Sequence, residues 1–262
     1  MKKVIMILGI LIFCTPVSFA QTPAAEPDPG VTVYMYRRVA ADKRDEFVKR
    51  ETTYWAEVVN KALAKGNITF WALLEKVGGS DMENTSNFLF INTYKNIDAM
   101  GEVWGGAAAA FPNVPMAKME TNSLSVTRGV YFLHAEDWQQ AADAVPDKDF
   151  KYISIVYHNS SDASGLIELE KKHWSPFIKS AMDKKQTTQR AWGNAILLSP
   201  TGETIRFNTV SYDLYATLKE ALMPTWDPKA VLPTAGLEEI NKLEINRRGG
   251  VVFRIIKVVS KN

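Results

Sequence analysis

The 262-residue sequence is 46% hydrophobic, 23% charged and 11% aromatic, which excludes a disordered, collagen-like or multi-span membrane chain. Its 31 basic and 29 acidic side chains give a net charge of +2, and that surplus sits in Lys2 and Lys3. A neutral remainder without basic runs gives no electrostatic footing for nucleic acid, so none is expected as a partner.

Residues 1–20 read as a secretory signal. Lys2 and Lys3 precede a ten-residue apolar run, 4–13, and Ser18 and Ala20 place small side chains three and one residues before a cleavage point. Ten apolar residues reach about 15 Å as a helix against about 30 Å of hydrocarbon, so no stable membrane anchor is expected after processing. Cys14 is the sole cysteine. Lipid attachment there is disfavoured because Phe13 occupies a position where such signals carry a small residue. Cleavage after Ala20 therefore removes every thiol and with it disulfide, thiolate-metal and cysteine-nucleophile chemistry. An exported chain without cysteine suits a bacterial periplasm or the cell exterior. Residues 21–30 hold three prolines and read as a flexible lead-in.

The predicted elements then run twice. Val31–Val39 and 150–158 are β-branched and aromatic strands. A helix follows each, with Phe47, Trp55, Val58, Val59, Ala62 and Leu63 on one face of the first and Leu166, Leu169, Trp174, Phe177, Ile178 and Met182 on one face of the second. Gly66 ends the first helix, and Asp162 or Ser164 caps the second. Paired strands come next, 69–77 with 87–94 and 190–199 with 204–212. Helices at 96–104 and 214–222, short helical stretches at 115–123 and 237–246, and closing strands at 129–134 and 250–259 complete the pattern. Trp55, Trp71 and Trp104 recur as Trp174, Trp192 and Trp226 at offsets of 119, 121 and 122, and Glu51 recurs as Glu170. Such an ordered series of rare residues marks an internal duplication. Repeat one is placed at 31–135, a linker at 136–149 and repeat two at 150–262.

The order β-α-β-β-α-β is the ferredoxin-like unit. The fold class expected is α+β, a tandem duplication of that unit whose two antiparallel sheets pack as an intramolecular α/β-barrel. This order, with Glu51-x3-Trp55 and Glu170-x3-Trp174 on the helices and Trp71 and Trp192 opening the next strands, resembles the dimeric α/β-barrel superfamily fused in tandem. It is also similar to exported bacterial proteins of the Bacteroidota whose function is not established. The resemblance implies a space between helices and sheet, or between sheets, that in other members serves cofactor-free monooxygenation, haem chemistry or no known activity. It does not choose among these.

A haem would need an axial histidine, and only His134, His158 and His173 exist. None has a histidine counterpart in the other half: His158 falls near Arg38 or Val39 and His173 on Tyr54. No His-x-x-x-His, HExxH, calcium-loop, GxSxG or phosphate-loop motif is present, so neither a metal nor a cofactor is expected. Tyr34, Tyr36 and Arg38 alternate on one strand face, and Tyr152, Ser154, Val156 and His158 on one face of its equivalent. With Trp71 and Trp192, four of these, Tyr34, Tyr36, Tyr152 and His158, form the candidate pocket for a small apolar or aromatic molecule, or else fill the core. The leading expectation is an exported binding or structural protein with partner proteins unknown; the alternatives are a cofactor-free or haem-using oxygenase and a protein-interaction module.

Overall fold

The computed structural model describes residues 30–77, 85–95, 97–202 and 205–261. The segment expected to be a signal, most of the expected lead-in and residues 78–84 lie outside the described residues. Strand β1 (Val31–Val39) leads into helix α1, built from Arg44–Arg50, a π-helical turn at Glu51–Trp55 and Ala56–Lys65. Gly66 ends it in the left-handed conformation, φ +79°, a backbone shape that suits glycine. Strands β2 (Phe70–Lys76) and β3 (Phe88–Tyr94), helix α2 (Met100–Gly105) and strand β4 (Ser125–Gln140) follow.

The second half repeats this order. It comprises β5 (Tyr152–Ser160), α3 (Ala163–Leu169, a π-helical turn Glu170–Trp174, then Ser175–Asp183), β6 (Ala191–Ser199), β7 (Thr209–Tyr215), α4 (Leu218–Leu222), α5 (Thr234–Leu243) and β8 (Glu244–Ser260). The Asp162 carboxylate caps α3 by accepting from the Gly165 N–H at 2.9 Å. Two boundaries differ from the sequence expectation. Leu214 and Tyr215 belong to β7 and not to the following helix, because the Thr217–Glu220 capping box fixes where α4 begins. Helix α5 ends at Leu243, and the chain enters β8 at once.

The eight strands close into one antiparallel barrel in the order β1-β3-β2-β8-β5-β7-β6-β4. The barrel expected from the sequence is closed by the sheets of the two halves joining edge to edge. The physical cause is strand length. Strands β4 and β8, read from sequence as short closing strands, run for 16 and 17 residues. The first part of β4 pairs with β1 and its extension, Phe132 to Gln140, pairs with β6; the first part of β8 pairs with β5 and its extension pairs with β2. Closure leaves no unpaired sheet edge.

Register repeats with the topology. Val31 pairs with Tyr94 and Tyr152 with Tyr215; Trp71 pairs with Asn92 and Trp192 with Asp213. Adding 121 to any β1, β2 or β3 position gives its β5, β6 or β7 counterpart. Inside the barrel, Tyr36 and Tyr157, related by this shift, hydrogen-bond through their hydroxyls. Tyr131 packs edge-on to Tyr36 at 5.7 Å, and Phe207 lies 5.1 Å from both Tyr131 and Tyr157. Burial raises the Tyr34 and Tyr36 hydroxyls well above the usual tyrosine range, with neighbouring tyrosines adding to the effect. The barrel interior is thus a neutral aromatic core.

Between sheet and α1, Trp71 is 1% exposed and packs on Phe90; between sheet and α3, Trp192 is 2% exposed and packs with Ile178 and Met182. Trp55 and Trp174 are half-buried on their helices. Denaturant unfolding should therefore show W71A and W192A each costing about 3–5 kcal/mol, and W55A and W174A roughly half that.

Candidate functional site

Alternation along each strand sends one set of side chains into the barrel and the other toward the helices. Tyr34 and Tyr36 point inward and join the interior core. Trp71 and Trp192 lie in the helix-facing layers, and Tyr152 and His158 share that outer side because Ile153, Ile155 and Tyr157 take the inner one. The six pocket candidates therefore do not meet at one site. The 121-residue register explains why: it matches Arg37 with His158, one residue from the sequence alignment that set His158 near Arg38 or Val39. In a structure of period two, a slip of one residue exchanges the faces.

In the correct frame the outer faces of the two halves differ in chemistry. The first half presents Val33, Met35, Leu73, Phe88 and Phe90, all packed into the layer under α1. The matching positions of the second half carry Ser154, Val156, Asn194, Thr209 and Ser211. Two aromatic rings and three aliphatic side chains are replaced by small, mostly polar ones. Asn194 and Thr209 are buried, at 0% and 1% exposure, whereas Ser154, Val156 and Ser211 are half-buried.

These residues surround a connected polar group. His158, 5% exposed on β5, is held between two partners. Its Nδ1 bonds the carboxylate of Glu244, the first residue of β8, and its Nε2 lies 2.8 Å from the Ser211 hydroxyl on β7. In the neutral ring the carboxylate accepts the Nδ1–H and Nε2 carries the lone pair that faces Ser211. On β6, beside Ser211 in the register, the Asn194 amide donates to Glu170 at 2.8 Å. Glu170 opens the π-helical turn of α3 and is itself buried. The Asn194 Oδ1 and Thr209 Oγ1 atoms are buried without a hydrogen-bond partner. Of these residues only His158 was a sequence-level site candidate. Ser211 and Asn194 become visible as apolar-to-polar exchanges once the halves are aligned correctly, but Glu244, 86 residues from His158, carries no local signal.

The equivalent group of the first half has different chemistry. Arg37 takes the place of His158 and donates to Ser125 Oγ at 2.5 Å and Asn122 Oδ1 at 3.1 Å. Glu51, which opens the π-helical turn of α1 as Glu170 opens that of α3, is 5% exposed and accepts from the Thr121 hydroxyl at 2.6 Å. The electrostatic influence of Arg37 reaches Glu51 without a direct ion pair.

A haem, which the fold resemblance raises, does not suit this arrangement. Both ring nitrogens of His158 are engaged, in polar surroundings. His134 bonds Glu136, which also pairs with Lys171. The His173 ring presses on the backbone of Gly236 in α5, where even a methyl group would collide with it. His173 Nε2 lies 3.6 Å from the Glu239 carboxylate. Among the described residues no cluster of His, Asp or Glu side chains is arranged to hold a metal ion, and no helix is long and apolar enough to cross a membrane. Two surface grooves, of about 550 and 480 Å³, flank α3 and α1 with mixed polar and apolar linings, and neither is lined by His158.

No protein-family model and no curated protein matches the sequence. Solved structures share the fold. A protein from Lactobacillus acidophilus NCFM assigned as a monooxygenase is 13% identical with a TM-score of 0.57, over 89% of this chain and 96% of that one. A protein from Fusobacterium nucleatum, also assigned as a monooxygenase, is 10% identical with a TM-score of 0.58 over 90% and 96%. An anthrone oxidase-like protein is 11% identical with a TM-score of 0.53 over 89% and 94%. At these identities the likeness is one of fold, the eight-stranded dimeric α/β-barrel architecture.

The Glu51 carboxyl titrates unusually. Burial pushes it up to about 7, against the opposing pull of the Thr121 hydroxyl and Arg37. The folded protein therefore keeps a proton on Glu51 that the unfolded chain releases near pH 4.3, so this contribution to stability is complete at low pH, falls between about pH 4 and 7 and is flat above. Between pH 4.5 and 8 the wild type should lose roughly 3 kcal/mol more than E51Q, as read from urea unfolding at each pH.

Proposed function

We propose that the chain is an exported, tandem-duplicated member of the dimeric α/β-barrel superfamily whose second half acts on a small aromatic molecule as a cofactor-free oxygenase. Export is supported by Lys2, Lys3, the apolar run that follows and the small residues Ser18 and Ala20. Duplication is supported by the common shift of 121 in strand register. The oxygenase reading is favoured over a purely binding or structural role by one observation above the others. The buried His158–Glu244 pair faces Ser211 where the first half fills the same layer with Phe88 and Phe90. The assignments of the fold neighbours point the same way.

In this reading His158 removes a proton from an activated C–H or phenolic O–H. Glu244 orients the ring and stabilises the imidazolium that forms. The resulting electron-rich anion is the species that reacts with dioxygen: an anthrone-type methylene and one O2 become a carbonyl and one water, with no other reductant. Ser154, Val156 and Ser211, half-buried on this face of the sheet, are the positions against which a flat ring system would lie.

Oxygen uptake with anthrone as the probe tests this. Wild-type protein should consume one O2 per anthraquinone formed, and H158Q should lower kcat by at least about 100-fold, the size of effect expected for loss of a general base. Uptake unchanged in a folded H158Q would contradict it.

A further inference from the structure

We propose that Ser211, His158 and Glu244 also form a nucleophilic relay, and that the protein accepts acyl groups from small carboxylic esters on Ser211. This activity goes beyond the oxygenase reading and does not depend on it. The three residues stand on adjacent strands, β7, β5 and β8. The Ser211 hydroxyl is 2.8 Å from His158 Nε2, and the opposite nitrogen is held by Glu244. Burial is graded in the order such a relay needs: the side chains of His158 and Glu244 are 7% and 11% exposed, while Ser211 is half-buried and reaches solvent. A base with an enclosed orienting acid and an accessible nucleophile within hydrogen-bond reach is the arrangement that activates a serine.

The fold does not require this group. At the positions of His158, Ser211 and Glu244 the first half carries Arg37, Phe90 and Ser125, and there Arg37 donates to Ser125 without any histidine–carboxylate pair. Two phenyl rings of the first half's layer, Phe88 and Phe90, correspond to Thr209 and Ser211 in the second half. Thr209, two residues before Ser211 on the same strand face, has a buried hydroxyl without a partner.

The step balances without a redox partner. The Ser211 oxygen forms a bond to the ester carbonyl carbon as its proton passes to His158 Nε2. Collapse of the tetrahedral adduct breaks the ester C–O bond, and His158 returns the proton to the departing alkoxide, leaving acyl-Ser211 and a free alcohol. Water, deprotonated by His158, then releases the carboxylic acid and restores the hydroxyl.

The test is covalent labelling of the processed, full-length chain with an alkyl fluorophosphonate, together with p-nitrophenyl acetate turnover. Peptide mass spectrometry should place a single adduct on Ser211. S211A, which removes only an oxygen atom, should abolish it; H158Q should slow labelling and turnover at least about 100-fold, and E244Q about 10-fold. Melting curves establish that each variant is folded. No adduct on wild-type Ser211, an adduct on another residue only, or labelling of folded H158Q at the wild-type rate would each overturn the proposal. The readout is a mass gained in the absence of any anthrone, so either result leaves the oxygen-uptake measurement independent.

Discussion

The constraint on which the rest of the structure depends is the satisfaction of sheet edges. A four-stranded sheet in either half ends in two strands whose outer N–H and C=O groups lack partners. Here both edges are resolved at once, because β4 and β8 are long enough to pair with their own half and then with the other. Closure fixes which face of every strand looks inward. Inward faces are filled by leucine, isoleucine, valine and alanine side chains together with tyrosine and phenylalanine rings, and this commits the space between sheet and helices to whatever else the chain does.

With the interior filled, the two helix-facing layers are free to diverge. The first is largely apolar around Phe47, Trp71, Phe88 and Phe90, with Arg37 and Asn92 buried beside them. The second keeps Trp192 packed beneath α3 but exchanges its remaining sheet positions for His158, Asn194, Thr209 and Ser211. Burying these groups costs stability unless each is partnered, and Glu244 and Glu170 supply two of the partners. The unpartnered oxygens of Asn194 and Thr209 remain as an unmet cost, as Asn92 Oδ1 and Arg37 Nε do in the first half. Both glutamates that open the π-helical turns are buried, Glu170 against Asn194 of the sheet and Glu51 against Thr121 of the segment before β4.

Much of this architecture was legible in the sequence. Tryptophan spacing and the order of elements mark two similar units, because a repeated pattern of rare, bulky residues survives divergence at other sites. The lengths of β4 and β8 were not legible: residues such as Glu136, Asp137, Gln139 and Gln140 read as linker, and only the presence of β6 alongside makes them strand. The site was legible only in part. His158 stood out as one of three histidines, but Tyr34 and Tyr36 were grouped with it through a one-residue error in matching β1 to β5. Glu244 could not be found at all, since its link to His158 is made by barrel register and not by spacing.

The claim that the second half's outer layer is the functional surface is most directly tested by backbone NMR of isotope-labelled protein titrated with 1,8-dihydroxyanthraquinone, an unreactive product-like probe. The account predicts saturable shifts at Ser154, Val156, His158 and Ser211, with Val33, Met35, Arg37 and Phe90 unmoved. Shifts confined to the first-half positions, or to Tyr34, Tyr36 and Tyr131 in the barrel interior, would contradict it.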